Sequence, residues 1–60
     1  MNVKDVYDML FVNTLCKVVG YYSGADYGMV RTELFDEKVK CISADVVNGN
    51  EPCICIMIDR

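Results

Sequence analysis

Histidine is absent from the 60 residues. That removes the commonest general base and metal ligand, and with them every Ser-His or Cys-His nucleophile pair. Basic residues are few and scattered: Lys4, Lys17, Arg31, Lys38, Lys40 and Arg60 stand against nine acidic residues, for a net charge of -3. Nucleic-acid modules displace counterions with a basic face, and only Lys38 and Lys40 lie close together, so direct nucleic-acid binding is not expected. No apolar run approaches the roughly 18 residues that span a bilayer. The start, Met1-Asn2-Val3-Lys4-Asp5, lacks the basic-then-apolar order of a signal peptide. A cytoplasmic protein with no membrane contact is the expectation. Proline occurs once and hydrophobic residues make up 53%, which argues against disorder. Repeats and low-complexity segments are also missing.

Length sets the next constraint. A chain of this size buries only about 60% of its unfolded surface, so its single core is marginal. Small chains offset that with disulfides, a metal or a partner subunit. Four cysteines are present, Cys16, Cys41, Cys53 and Cys55. In the cytoplasm they are expected as reduced thiols that pack like small hydrophobes.

The pattern along the chain predicts one domain over residues 1–60. Asn2 and Asp5 have capping-box spacing, and Val3, Val6, Tyr7 and Leu10 follow the i, i+3, i+4, i+7 template. A helix over about residues 3–11, stopped near Asn13, follows. Valine-rich and alternating segments then predict strands over about 15–22, 27–34, 38–47 and 52–59. Turn chemistry at Ser23–Asp26 and at Asn48-Gly49 and a short connection at Phe35-Asp36-Glu37 separate them. Pro52 fits a strand start, where its missing N–H is tolerated. The fold class expected is α+β: a short N-terminal helix packed on one face of a four-stranded antiparallel sheet. Asn48-Gly49 is compatible with a two-residue turn or a bulged three-residue loop, and the choice sets which way Cys41 faces.

The final strand breaks the alternation of a sheet with one wet face. Cys53-Ile54-Cys55-Ile56-Met57-Ile58 is apolar on both sides, although the chain supplies one helix. Left exposed, such a face is an aggregation hazard, so these six residues are expected at a homo-oligomer or partner interface. Cys53 and Cys55 share one face about 6.5 to 7 Å apart, and Cys41 on the neighbouring strand can join them. A zinc knuckle uses Cys-x₂₋₄-Cys on a tight turn, so Cys-x-Cys on a strand reads first as packing thiols. A metal held by Cys41, Cys53 and Cys55 is the alternative; no cofactor is otherwise implied.

Tyr21, Tyr22 and Tyr27 flank one turn, with Arg31 downstream. Aromatics and arginine are favoured at protein contacts, and the same groups can stack on a nucleobase and pair with a phosphate. Tyrosines that only shield a sheet edge are the bland alternative. Asp36, Glu37, Asp45 and Glu51 form no specific pair and read as solvated surface. Gly20, Gly24 and Gly28 lack the strand-to-helix setting of a phosphate loop and read as turn chemistry.

The order of apolar positions resembles that of very small orphan proteins encoded by phages and prophages of Firmicutes. It runs from Val3-x-x-Val6-Tyr7-x-x-Leu10 through a valine-rich strand to Leu34-Phe35-Asp36, then Val39-x-x-Ile42-x-Ala44 and Ile54-x-Ile56-x-Ile58. The resemblance covers most of the chain and includes no catalytic or binding motif. It implies a phage setting, in which small proteins disable host defences by binding a defence protein or, as oligomers, by sequestering a nucleotide signal. Together these readings predict a non-enzymatic interaction protein that homo-oligomerises and inhibits a host protein. A nucleotide sponge using Tyr21, Tyr22 and Arg31 is the alternative, and a metal-stapled structural protein is the third.

Overall fold

The fold is given by a computed structural model that describes residues 1–10 and 14–60. Helix α1 spans Val3–Met9 and is followed by β1 (Cys16–Gly20), β2 (Asp26–Met29), a 3-10 turn at Thr32–Leu34, β3 (Val39–Val47) and β4 (Glu51–Ile58). The α+β class and the count of four strands match the sequence reading. The sheet itself does not: its order is β2-β1-β4-β3, and β1 pairs with β4 in parallel, so it is mixed rather than antiparallel. The last strand inserts between the first and the third. Its apolar side chains on both faces suit this central position, where side chains of the neighbours on either side help to cover each face, a placement that hairpin-by-hairpin reading overlooks.

The capping box forms as its spacing predicts. Asp5 N–H donates to Asn2 Oδ1 at 3.0 Å, and Asn2 N–H donates to Asp5 Oδ2 at 3.0 Å. Leu10 is already extended at the helix C-cap, two residues short of the expected run, and Phe11 and Asn13 lie outside the described residues. Further support for the first turn comes from the segment before β3: Val3 N–H donates to the Glu37 carbonyl (2.9 Å) and Lys4 N–H to that of Phe35 (3.2 Å). These are helix-start donors that no helical carbonyl can reach.

That docking explains why the expected strand 27–34 is cut to four residues. Beyond Met29 the chain leaves the sheet and turns through Thr32–Leu34, which buries Leu34 and presents Phe35 and Glu37 to the helix start. The strand expected over 15–22 likewise ends at Gly20, where the turn begins. The hairpin joining β3 to β4 has the three-residue loop, with Val47 opposite Glu51 and positive φ at Asn48 (53°) and Gly49 (88°). Asparagine and glycine tolerate that left-handed backbone, which accounts for the sequence there.

Val3, Val6 and Leu34 close one face of the sheet against Cys16, Val18, Ile56 and Ile58, with Leu10, Tyr27, Val30, Phe35, Val39 and Ile54 at the margin. Among the described residues no buried side chain is polar or charged. Register places Lys17, Val19, Cys41, Ser43, Asp45, Cys53, Cys55 and Met57 on the opposite face. None of them belongs to the core cluster.

Candidate functional site

The six residues of the final strand divide between two environments. Ile54, Ile56 and Ile58 point to the helix side, where Ile56 and Ile58 are fully buried within the chain. The assignment of Ile56 and Ile58 to an oligomer interface is therefore corrected: they are core, with Ile54 at its margin. Only Cys53, Cys55 and Met57 reach the opposite face, and both cysteines are just 3% exposed. Cys41 lies opposite Met57, its Sγ 3.4 Å from Met57 Sδ, so the three thiols do share a face. They do not converge. Among the described residues no three Cys, Asp or Glu side chains come together as a metal-holding group, and all four cysteines are free.

Covering the two thiols is an ion pair. Lys17, opposite Cys55 on β1, reaches across β4 to Asp45, opposite Cys53 on β3, with Nζ to Oδ2 at 2.7 Å. The bond to Lys17, with a further one donated by Val46 N–H, holds the Asp45 carboxyl below its ordinary range, and Asp45 in turn raises Lys17. Desolvation pushes the Cys55 thiol up, partly opposed by the Lys17 charge. Burial acts more strongly on Cys16, pushed up to about 11, with the neighbouring Cys53 and Cys55 adding to it. Raised thiols are poor nucleophiles at neutral pH, so Cys16 and Cys55 are inert packing groups.

The four residues grouped around the tyrosine turn also separate. Tyr21 and Tyr22 meet edge to face with ring centroids 4.9 Å apart, and stand 47% and 66% exposed. The turn that carries them is tied to the end of β4: Tyr21 N–H donates to the Ile58 carbonyl (3.0 Å), and Tyr22 and Ser23 N–H both donate to that of Arg60 (2.6 and 3.1 Å). Gly20 permits that closure, because a Cβ there would collide with Ser23 Oγ and lie 3.2 Å from the Arg60 carbonyl. Tyr27, by contrast, lies half-buried against the helix-side core. Arg31 is occupied locally: it donates to the carbonyls of Tyr27 (2.6 Å) and Met29 (3.4 Å) and pairs with Glu33 at 3.5 Å.

The cation that joins the tyrosine pair is Lys40, which sequence reasoning missed. Its Nζ lies 5.7 Å from the Tyr21 ring centroid and 5.6 Å from that of Tyr22. Tyr22 is the largest cause of a rise in the Lys40 pKa, and Asp59 adds to it. A bulge between Val39 and Cys41 places this lysine, and no local signal in Val39-Lys40-Cys41 marks it. Corner and cation form a compact aromatic-cationic knob at one end of the sheet.

Other groups are spoken for or dispersed. Glu37 pairs with Arg60 (2.9 Å), and Glu51 accepts from the Asn48 side chain (3.4 Å). Two open hollows, of about 410 and 440 Å³, flank the β3–β4 hairpin. One is lined mainly by Leu15, Ala44, Pro52 and Ile54, the other by Leu15, Lys17, Met29 and Val47. Of their charged lining, Asp45 and Lys17 pair with each other, Glu51 accepts from Asn48, and Asp26 accepts from Gly28 N–H (2.8 Å). Among the described residues no helix is long and apolar enough to cross a membrane. No protein-family model, curated protein or solved structure matches the chain.

Proposed function

We propose that this chain is a non-enzymatic binding protein that self-associates and blocks another protein through the Tyr21–Tyr22–Lys40 corner. The observation that carries the reading is the corner itself: two exposed rings held edge to face, their backbone fixed to β4, with a cation over both. Rigid aromatics contribute large contact area at low entropic cost, which is why a few such residues dominate protein interfaces. The chemistry available for catalysis is thin, since the chain has no histidine and its shifted thiols are buried. The phage-like order of apolar positions supplies the setting: a host defence protein, occupied in the host cytoplasm rather than chemically modified.

The test is affinity capture from host lysate with the chain and with a Tyr21→Ala/Tyr22→Ala variant, captured proteins being identified by mass spectrometry. A partner held by the chain and lost by the folded variant supports the reading. Identical captures from both would sink it. A nucleotide stacked on the rings and paired with Lys40 is the second reading, since Arg31 is committed to Glu33. It requires a nucleotide-dependent rise in melting temperature that Lys40→Ala abolishes.

A further inference from the structure

The sheet has two outer edges, and they are unlike. The β2 edge is four residues long, carries Asp26 and Gly28, and is broken by a register shift opposite Val18 and Val19, all features that blunt an edge against pairing. The β3 edge runs nine residues. Its first part is used by the chain itself, because Asn2 bridges to Lys38 and Val39 N–H donates to the Met1 carbonyl (3.1 Å).

Beyond the bulge no strand of the described residues pairs with the edge. Ile54 N–H donates to Leu15 (2.9 Å), so even-numbered β4 residues turn their backbone to β1 and odd-numbered ones turn theirs to β3. Ser43 and Asp45, opposite Cys55 and Cys53, therefore spend their backbone groups on β4. Ile42, Ala44 and Val46 direct theirs outward. The same three residues share the helix-side face, where Ile42 is 45% and Val46 55% exposed and Ala44 is exposed between them. From Cys41 to Val47 the one charged residue is Asp45, whose side chain is turned away to Lys17 on the other face.

The geometry points to a second copy of this chain as the occupant: β3 pairs antiparallel with β3 of the copy, centred on Ala44, to give one continuous eight-stranded sheet. The register is self-complementary. Centring on Ala44 sets each Ile42 against Val46 of the other copy and brings the outward N–H and C=O groups into hydrogen-bonded pairs. On the other face Ser43 meets Asp45 of the copy, a hydroxyl donor against a carboxylate, and the two Asp45 side chains are not opposed. Val46 N–H, now donated to Asp45 Oδ1 at 2.7 Å, exchanges that bond for the carbonyl of Ile42 in the copy. Shifting the register by one residue would set helix-side positions against opposite-face ones and lose the match.

The inference rests on the self-association in the proposed function and names the surface that performs it. The test is sedimentation equilibrium with reductant present, which keeps disulfides out, on the chain and three variants. Ala44→Pro deletes an outward N–H and leaves the ladder to β4 intact, a position where edge proline is tolerated. Ile42→Lys puts a charge on the apolar stripe, and it decides the matter if the proline variant does not fold. Val19→Lys alters the opposite face. The chain should move from 6.8 kDa to twice that mass with rising concentration, as should Val19→Lys, whereas Ile42→Lys and folded Ala44→Pro stay at single-chain mass. A chain that stays at 6.8 kDa overturns both this pairing and the self-association it rests on. Doubling that survives Ile42→Lys, or is lost only in Val19→Lys, overturns the β3 edge alone.

Discussion

Ile56 and Ile42 face each other on adjacent strands and the same side of the sheet, yet one is 0% and the other 45% exposed. Trimming each to valine removes one methylene from two positions that differ mainly in burial. At Ile56 the loss is a fully buried group, worth about 0.8 kcal/mol in transfer alone. Val18 on the other flank is also fully buried, so little can move in to fill the gap, and the total should reach about 1 kcal/mol, within the range usual for Ile→Val. At Ile42 about half of the transfer value applies and no closed cavity forms, giving roughly 0.4 kcal/mol. For a domain this small, 1 kcal/mol moves Tm by about 4–8 °C, so Ile56→Val should fall by that much and Ile42→Val by less than half of it. Urea melts at concentrations where the chain sedimens as a single copy give the same comparison through midpoints at constant slope. Equal losses, or a larger one at Ile42, would refute the placement of β4 at the centre of the sheet with Ile56 under the helix.

Four further outcomes follow from the geometry. In the folded chain half-exposed Cys41 should take up a thiol reagent first and Cys16 last, as read by peptide mass mapping of partly labelled protein. Because the Cys16 thiol is raised from 9.0 to about 11 on folding, its share of stability is complete below about pH 9 and is lost as pH climbs from there to about 11; the alkaline fall in Tm should be smaller in Cys16→Ala. Asp45 shifts the other way: its contribution is complete above the ordinary carboxylate value of 3.8 and disappears as acid titrates it below that, so Asp45→Asn should flatten the acid side of a Tm–pH profile. Asn2→Ala removes one half of the capping box and should cost about 1 kcal/mol in a thermal melt, whereas Asn2→Asp should cost little.

What was legible in the sequence was local. Asn2 and Asp5 announce the helix start because a capping box needs only neighbours, and Asn48-Gly49 announces the β3–β4 hairpin because only certain residues tolerate positive φ. The partner of β1 was not legible, since nothing in Cys16–Gly20 names a strand more than half the chain away. The two-sided apolar run Cys53–Ile58 was a true signal given the wrong cause. Its neighbours β1 and β3, with the Lys17–Asp45 pair across them, shield the thiol side, and no second protein is needed to hide it. Leu34 shows the same limit, since period-two alternation drew a strand through it while the helix start claimed the backbone around Phe35 and Glu37. At the corner, adjacency in sequence brought out Tyr21 and Tyr22. Lys40 reaches them only through the bulge, and Arg31, close in sequence, is bound to its own neighbours.

The parallel seam between β1 and β4 also governs how the chain finds its fold. Each hairpin can zip from its own turn, so β3–β4 and β1–β2 close over short loops. Neither holds the core alone, because Cys16 and Val18 come from one unit and Ile56 and Ile58 from the other. Joining them requires closing the long loop through the 3-10 turn before any core contact repays the lost chain entropy. That docking is the slow, cooperative event, and the segment between Met29 and Val39 is both the tether that must close for it and, through Leu34, part of the core that it completes.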